Sequence, residues 1–209
     1  MADIPFLNPS VLTQLDLPIP NRIETPLKLE PLNLNRPYEP SKEIQAYRRL
    51  YGLDQLEGQF WQGYVKMPLF KLHVQVYQPV IDQIKGTVFL LHGYLEHSGI
   101  YQPIIRELLD QGFSVITYDL PGHGLSDGNA ASIQNFDHYQ QVLHAVHQYL
   151  RNADQLPKPW LGIGQSTGAA IWMHHLLEYA EQRKNPIVER VLLLSPLVRP
   201  AKSAWWHNS

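Results

Sequence analysis

One serine of this 209-residue chain lies in a pattern that can make its hydroxyl reactive. The segment Gly164-Gln165-Ser166-Thr167-Gly168 connects a predicted strand to a predicted helix. A sharp turn at such a junction places the serine hydroxyl above the sheet, and the small residues Gly164 and Gly168 let strand and helix approach closely. The helix N-terminus adds free N–H groups and a positive dipole end beside the hydroxyl. We expect Ser166 to be a nucleophile; a glycine-rich turn without chemistry is the alternative.

A second segment, Leu90 to Ser98, supplies groups that can stabilise negative charge beside that serine. Acyl transfer needs two N–H donors directed at the developing oxyanion, one from the residue after the nucleophile and one from a loop after an upstream strand. We therefore expect the backbone N–H groups of Thr167 and Tyr94 to form an oxyanion hole. His92, which precedes Gly93 in the same loop, is expected to order the loop by hydrogen bonding rather than to act as a base.

A third segment, Tyr118 to Gly128, is rich in glycine and also contains acid and base side chains. Three glycines and one proline within eight residues favour a tight loop at the end of a strand. Asp119 and His123 are candidates for catalysis, but we expect both residues to organise this loop.

The three segments fall within an alternation of predicted strands and helices. Apolar runs and alternating apolar residues predict strands, and apolar residues on one side predict helices. The predicted strands cover 60–66, 70–77, 87–91, 113–118, 160–164 and 188–194, and the predicted helices between them end near 110 or cover 132–151 and 167–184. This order is typical of an α/β fold with a mostly parallel, doubly wound sheet, in which ligands bind at the carboxyl ends of the strands.

On these motifs, the sequence resembles the α/β-hydrolase superfamily. The stretches from His92 to Tyr101 and from Asp119 to Gly128 are similar to those of monoacylglycerol lipase and lysophospholipase-like serine hydrolases, and the resemblance covers roughly residues 59–198. It implies an α/β-hydrolase fold with Ser166 as nucleophile and the oxyanion donors expected above. It also implies hydrolysis of small-molecule carboxylic esters, of monoacylglycerol or lysophospholipid type, through an acyl-serine intermediate. A serine peptidase or thioesterase of the same fold, and a non-catalytic binding protein on this scaffold, stay open as alternatives.

The chain departs from this superfamily after the nucleophile. The superfamily orders its catalytic triad as serine, acid and histidine, yet the acids and histidines after Ser166 lie on a predicted helix, at a strand start or near the end of the chain. We therefore expect the triad Asp and His, the C-terminal strands and the lid to lie beyond residue 209, and the 209 residues alone to show negligible turnover. His97 or His123 as a substitute base is the alternative, since a general base must lie about 2.6–3.2 Å from the serine hydroxyl.

Proline and glycine divide the chain into two regions. Eight prolines lie within the first 40 residues, and all 13 glycines follow them. The prolines exclude a long helix or a central strand, so residues 1–57 are predicted to form an extended arm and a short helix capped by Ser41. Residues 58–209 are predicted to form a partial hydrolase domain. Leucines of the arm, Leu32 and Leu34 among them, indicate partial docking onto that domain.

Composition narrows the remaining classes of function. The net charge of −2 gives no long-range attraction for nucleic acid or for anionic membranes, so we expect neither partner. The sequence has no cysteine, and its histidine pairs on predicted helices are interpreted as surface or core residues, so we expect no metal and no cofactor. The first residues do not resemble a secretory signal, and the longest apolar run is far short of a membrane span, so we expect no membrane anchor and a cytoplasmic location.

Overall fold

The computed structural model describes residues 29–197, which contain six β-strands and four α-helices. The strands are β1 (Gln59–Lys66), β2 (Lys71–Gln78), β3 (Gly86–Leu91), β4 (Phe113–Tyr118), β5 (Trp160–Gln165) and β6 (Arg190–Leu194). The helices are α1 (Lys42–Leu50), α2 (Gln102–Asp110), α3 (Asp137–Leu150) and α4 (Thr167–Glu181). Short 3₁₀ helices cover Leu53–Gln55 and Ser98–Tyr101.

The six strands form one sheet in the order β1-β2-β4-β3-β5-β6. The β1-β2 and β2-β4 pairs are antiparallel, whereas the β4-β3, β3-β5 and β5-β6 pairs are parallel. Side chains of α3 and α4 pack on one face of the sheet, and side chains of α1 and α2 pack on the other. The predicted mostly parallel, doubly wound sheet is therefore confirmed.

The composition of β3 explains its place in the middle of the sheet. All six residues of β3 are buried, as expected for a strand that has a parallel neighbour on each side and helices over both faces. Phe89 meets the rings of Tyr118, Trp172 and Trp160 edge to face, at centroid distances of 5.7, 5.8 and 6.3 Å. Each such aromatic pair adds about 0.5–1.5 kcal/mol beyond its buried area. The aromatic cluster therefore anchors α4 and β5 to the strand from which the candidate loop emerges.

Two helix boundaries differ from the predicted ones. α3 begins at Asp137 rather than at Ser132, because the side chain of Asn135 accepts the Asp137 N–H at 2.9 Å. An asparagine in this role favours a turn before the first helical residue. α4 ends at Glu181, and Arg183 follows with a φ of 53°, in the left-handed region that ends a helix.

Residues 29–40 of the predicted arm dock along the edge of the sheet. The Tyr64 N–H of β1 donates to the Glu30 carbonyl at 2.9 Å, and the Leu32 N–H donates to the Tyr64 carbonyl at 3.0 Å. Leu32 and Leu34 are buried in the same core as the side chains of α3. The arm therefore covers part of the outer edge of β1, and the docking of Leu32 and Leu34 is confirmed.

The expectations for residues 1–28 and 198–209 lie outside the described residues, and the domain boundary after residue 57 stays a prediction. Within the described residues, β6 forms the other edge of the sheet, and Leu192 and Leu194 of this strand are exposed. No helix of the described part of the chain is long and apolar enough to cross a membrane.

The docked arm predicts a large effect of Leu32→Ala on stability. Leu32 is 2% exposed, so truncation should lower the free energy of unfolding by about 2–4 kcal/mol in urea denaturation, through lost burial and a cavity. Leu50→Ala is the matched control: Leu50 of α1 is 57% exposed, so its truncation should change stability by less than about 0.5 kcal/mol. Equal unfolding midpoints for the two variants would show that the arm does not dock.

Candidate active site

Ser166 lies in the turn between β5 and α4, in a backbone conformation that few residues other than glycine adopt. Its φ is 49° and its ψ is −108°, and a conformation of this kind costs about 1–3 kcal/mol. The Ser166 N–H donates to the Leu194 carbonyl at 2.9 Å, and the Ser166 carbonyl accepts the N–H groups of Ala170 and Leu197 at 2.9 and 3.1 Å. Backbone hydrogen bonds from α4 and from the end of β6 therefore hold the turn that carries the predicted nucleophile.

This turn requires close contact between α4 and the sheet, and two glycines permit that contact. Leu91 of β3 lies beside Gly164 of β5 in the parallel register. A Cβ atom on Gly168 would lie 2.4 Å from the Leu91 carbonyl oxygen, and one on Gly164 would lie 2.4 Å from the Gly168 carbonyl carbon. Any larger residue at either position would push the start of α4 away from the sheet.

The loop after β3 lies directly beside Ser166. A Cβ atom on Gly93 would lie 3.3 Å from the Cβ of Ser166. His92 Nδ1–H donates to the Gly93 carbonyl at 2.7 Å, and His92 Nε2 accepts the Leu120 N–H at 2.8 Å. Burial lowers the pKa of His92. His92 therefore joins two loop backbones as a neutral ring, and neither of its nitrogens is free to take a proton from a serine.

The predicted oxyanion donors are the backbone N–H groups of Tyr94 and Thr167. Thr167 is the first residue of α4, so its N–H has no acceptor within the helix. Among residues 29–197, neither N–H donates to a protein acceptor. The Tyr94 side chain is anchored, because its hydroxyl donates to the Ala131 carbonyl at 3.0 Å. Both N–H groups are therefore available to a ligand oxygen near the β5–α4 turn.

The two histidines considered as substitute bases are held by the backbone of their own loops. His97 Nδ1 accepts the Gly99 N–H at 3.1 Å. His123 is 6% exposed, and its Nδ1–H donates to the Pro121 carbonyl at 2.9 Å. In the part of the chain that the structure describes, the Ser166 hydroxyl makes no hydrogen bond to either ring.

A buried carboxylate joins the two loops that flank this site. Asp119 accepts the N–H and the hydroxyl of Ser98 at 2.8 and 2.6 Å, and it accepts the Leu125 N–H at 2.8 Å. The carboxylate also bonds to His73, whose Nδ1 lies 3.0 Å from Asp119 Oδ2. Burial alone would raise the pKa of Asp119, but the hydrogen bond and charge of His73 hold it well below its usual range. Asp119 thus ties the loop after β3 to the loop after β4, as an organising residue.

Sequence reasoning did not identify His73 as part of this arrangement. In β2, His73, Gln75 and Tyr77 alternate with apolar residues, a pattern typical of a strand with one exposed face. All three are buried, because α1 and the 3₁₀ helix at Leu53–Gln55 cover that face. The available signal was chemical: an imidazole and an amide in mid-strand need hydrogen-bond partners when they are buried, and Gln75 Nε2 donates to the Ser98 hydroxyl at 3.3 Å.

The paired histidines of α3 and α4 pack against one another and against an aromatic ring. His144 lies beside His175 and Tyr179, at centroid distances of 5.2 and 5.6 Å. His175 Nε2 accepts the Ile187 N–H at 3.2 Å, and burial lowers the pKa of His175 to about 4. Among residues 29–197 there is no group of three or more His, Asp or Glu side chains placed to hold a metal ion.

The segment that carries the candidate site matches a known protein family. The sequence model of the family described as serine aminopeptidase, S33, matches residues 82–208, more than half of the chain. The chain belongs to this family. The matched residues include the loop after β3, the Asp119 loop and the β5–α4 turn, which carry the predicted nucleophile and the predicted oxyanion donors.

Curated proteins similar to this chain carry esterase and lipase names. The chain is 30% identical to caffeoylshikimate esterase of Arabidopsis thaliana over 112 residues, which is 53% of this chain and 34% of that protein. It is 31% identical to human monoglyceride lipase over 119 residues, which is 54% of this chain and 36% of that protein. The chain therefore spans about a third of the length of these curated relatives.

A solved structure shows the same fold. Est1E from Butyrivibrio proteoclasticus, solved with ferulic acid bound, aligns with a TM-score of 0.54 at 24% identity, over 64% of this chain and 52% of that chain. The α/β-hydrolase fold and the resemblance to monoacylglycerol lipase-like hydrolases are both confirmed by these matches.

The buried Asp119 predicts a measurable cost for Asp119→Asn. Ser98 and Leu125 donate to different oxygens of Asp119, so the amide NH₂ would face the donors of one of them in either orientation. We therefore expect a loss of about 3–5 kcal/mol in the free energy of unfolding, measured in urea. Asp154→Asn, at an exposed aspartate, should be neutral to within about 0.5 kcal/mol.

The low pKa of Asp119 also sets the pH dependence. Its stabilising contribution is complete above the ordinary value of 3.8 and decreases as the pH falls below it, because the unfolded chain then binds the proton more readily. Between about pH 5 and pH 2, wild type should therefore lose more stability than Asp119→Asn. Parallel stability curves for the two proteins would contradict a lowered pKa.

Proposed function

We propose that the protein is a serine hydrolase of carboxylic esters, with Ser166 as the nucleophile. One observation carries the proposal: Ser166 has a positive φ at the N-terminus of α4 and lies directly beside Gly93. The residue after Ser166 and the residue after Gly93 each have a backbone N–H that donates to no acceptor within residues 29–197. A non-catalytic strand-to-helix turn has no need of a strained serine. Strain of this kind is retained where it presents a reactive group.

In the proposed reaction, Ser166 Oγ bonds to the acyl carbon while its proton passes to a base. The carbonyl oxygen becomes an oxyanion that the Tyr94 and Thr167 N–H groups stabilise, which is typically worth about 3–4 kcal/mol for one such donor. The bond from the acyl carbon to the alcohol oxygen then breaks, and the alcohol leaves with the proton. Water attacks the acyl-serine in the same way, releasing the acid and regenerating Ser166.

We assign the base to a histidine, oriented by an acid, outside residues 29–197. Support comes from the occupied nitrogens of His92. Within residues 29–197, the Ser166 hydroxyl also makes no hydrogen bond to His97 or His123. The superfamily order of serine, acid and histidine also favours residues that follow the nucleophile. Without a base, oxyanion donors and binding alone would leave about 10³–10⁴-fold acceleration over water.

The proposed substrates are lipid-type esters, namely monoacylglycerols or lysophospholipids. The motif resemblance and the similarity to human monoglyceride lipase support this class. The exposed Leu95, at 72% exposure beside the oxyanion donor Tyr94, offers an apolar contact for an acyl chain at the same edge. A peptidase is the second candidate, because the family itself is described as serine aminopeptidase.

A fluorophosphonate probe and mass spectrometry on the full-length gene product test the nucleophile. The probe should attach to Ser166 in wild type and in Ser132→Ala, a control at an exposed serine of the neighbouring loop, and should not attach in Ser166→Ala. Labelling of a different residue, or labelling that persists in Ser166→Ala, would overturn the assignment.

A substrate panel then separates the candidate activities. We expect turnover of monoacylglycerols or lysophospholipids that falls by about 10³-fold or more in Ser166→Ala. Turnover of aminoacyl p-nitroanilides in preference to esters would identify the peptidase. If neither class is hydrolysed and Ser166 is not labelled, the non-catalytic alternative is correct.

A further inference from the structure

The hydroxyl of Tyr101 connects the loop after β3 to the β5–α4 turn. It lies 2.5 Å from Glu96 Oε2 and 2.9 Å from Gln165 Oε1. The Gly93 N–H donates to Glu96 Oε2 at 2.8 Å and to the Tyr101 hydroxyl oxygen at 3.1 Å. Gln165 immediately precedes Ser166, and Gly93 immediately precedes Tyr94. One phenol group therefore bonds to both halves of the candidate site.

The chemistry of this group suits a fixed donor. Burial, together with the hydrogen bond to Glu96 and its charge, raises the pKa of Tyr101, so the phenol keeps its proton throughout the neutral range. A phenol has one proton, which serves one of the two acceptors at a time, while its oxygen can still accept from Gly93. Whether the hydroxyl donates to Glu96 or to Gln165, its oxygen still accepts the Gly93 N–H, so it stays bonded to the loop after β3.

Glu96 and Ser166 both lie close to Gly93. A Cβ atom on Gly93 would lie 2.7 Å from Glu96 Oε2 and 3.3 Å from Ser166 Cβ. The carboxylate and the serine therefore both limit the space beside the Gly93 Cα, and the Gly93 N–H donates to the carboxylate. The peptide that follows, which bears the Tyr94 N–H, has its orientation set by this contact.

Packing alone does not account for the hydroxyl. The Tyr101 ring is 4% exposed, among the apolar side chains on the α2 face of the sheet, where a phenylalanine would fill the same space. Tyr118 shows the difference: its side chain is fully buried, and its hydroxyl has no hydrogen-bond partner among residues 29–197. Burial of a tyrosine ring in this protein therefore does not by itself require a bonded hydroxyl, whereas the Tyr101 hydroxyl is bonded to groups of the candidate site.

We propose that Tyr101 and Glu96 are positioning residues that hold the Gly93–Tyr94 peptide against Ser166. The inference rests on the proposed hydrolase function for its kinetic consequence, and on the contacts above for its structural one. Preorganised donors accelerate a reaction only when they already point at the position of the oxyanion. Neither residue contacts the reacting atoms, so their loss should reduce the rate of the chemical step and leave ground-state binding nearly unchanged.

Tyr101→Phe and Tyr118→Phe form the decisive pair of variants. Each removes one buried hydroxyl and keeps the ring. We expect Tyr101→Phe to lower kcat for the ester substrate, and the rate of fluorophosphonate labelling, by about 10- to 100-fold, with KM within about twofold of wild type. Tyr118→Phe should match wild type in both rates. Equal losses in the two variants, or no loss in Tyr101→Phe, would overturn the proposal.

Glu96 variants provide a second line of test that does not depend on the core. Glu96→Ala removes one of the two acceptors of the Gly93 N–H and should reduce the labelling rate as much as Tyr101→Phe does. Glu96→Gln keeps an oxygen of the same reach and should recover part of the rate. Full activity of Glu96→Ala would contradict the role assigned to the carboxylate.

Amide hydrogen exchange separates this inference from the proposed function. The Gly93 amide, observed by NMR, should exchange faster in Tyr101→Phe and in Glu96→Ala than in wild type, and at the wild-type rate in Tyr118→Phe. If wild type is never labelled at Ser166, the proposed function fails and the exchange rates alone decide whether Tyr101 holds the loop. Unchanged exchange at Gly93 in Tyr101→Phe would overturn the inference whatever the activity.

Discussion

The contact between the first turn of α4 and the sheet is the constraint on which the candidate site depends. At Gly168 the helix lies so close to β3 that a Cβ atom would be 2.4 Å from the Leu91 carbonyl oxygen. This proximity forces the chain to reverse direction within the single residue Ser166, which takes up a φ of 49°. It also brings Ser166 beside Gly93, because β3 and β5 are adjacent parallel strands. The strained serine and its neighbouring loop are two results of one close approach.

The strain energy at Ser166 is comparable to the stabilisation from the hydrogen bonds that hold the turn, so the strained conformation can persist. The backbone strain at Ser166 is about 1–3 kcal/mol, and each backbone hydrogen bond to Leu194, Ala170 or Leu197 contributes about 0.5–1.5 kcal/mol. Burial of Trp172 against Phe89 adds further stabilisation at the same junction. The turn is therefore held by its surroundings rather than by its own conformational preference.

Much of the fold was predictable because its signals are local. The glycines of the 164–168 segment, the apolar run of β3 and the capping serine Ser41 each express a preference that neighbouring residues in the sequence determine. The start of α3 was predicted too early, because the side chain of Asn135 competes with the helix for the Asp137 N–H. A single side-chain hydrogen bond was enough to move that boundary.

The supporting residues of the site were much harder to predict, because they meet only in the folded chain. His73 pairs with Asp119. The sequence pattern of its strand predicts one exposed face, and the His73 side chain is buried because α1 packs over that face. Tyr101, at the end of the 3₁₀ helix Ser98–Tyr101, contacts Gln165 at the end of β5, and no spacing in the sequence indicates that contact. Sequence patterns indicate which residues carry chemistry, whereas the residues that orient them depend on tertiary proximity.

A crystal structure of the protein after reaction with a phosphonate inhibitor would test the site most directly. The geometry predicts a phosphonate bonded to Ser166 Oγ, with its phosphoryl oxygen about 2.7–3.1 Å from the backbone nitrogens of both Tyr94 and Thr167. Gly93 should remain bonded to Glu96 in that structure. A phosphonate on another residue, or a phosphoryl oxygen that points away from these two nitrogens, would contradict the proposed active site.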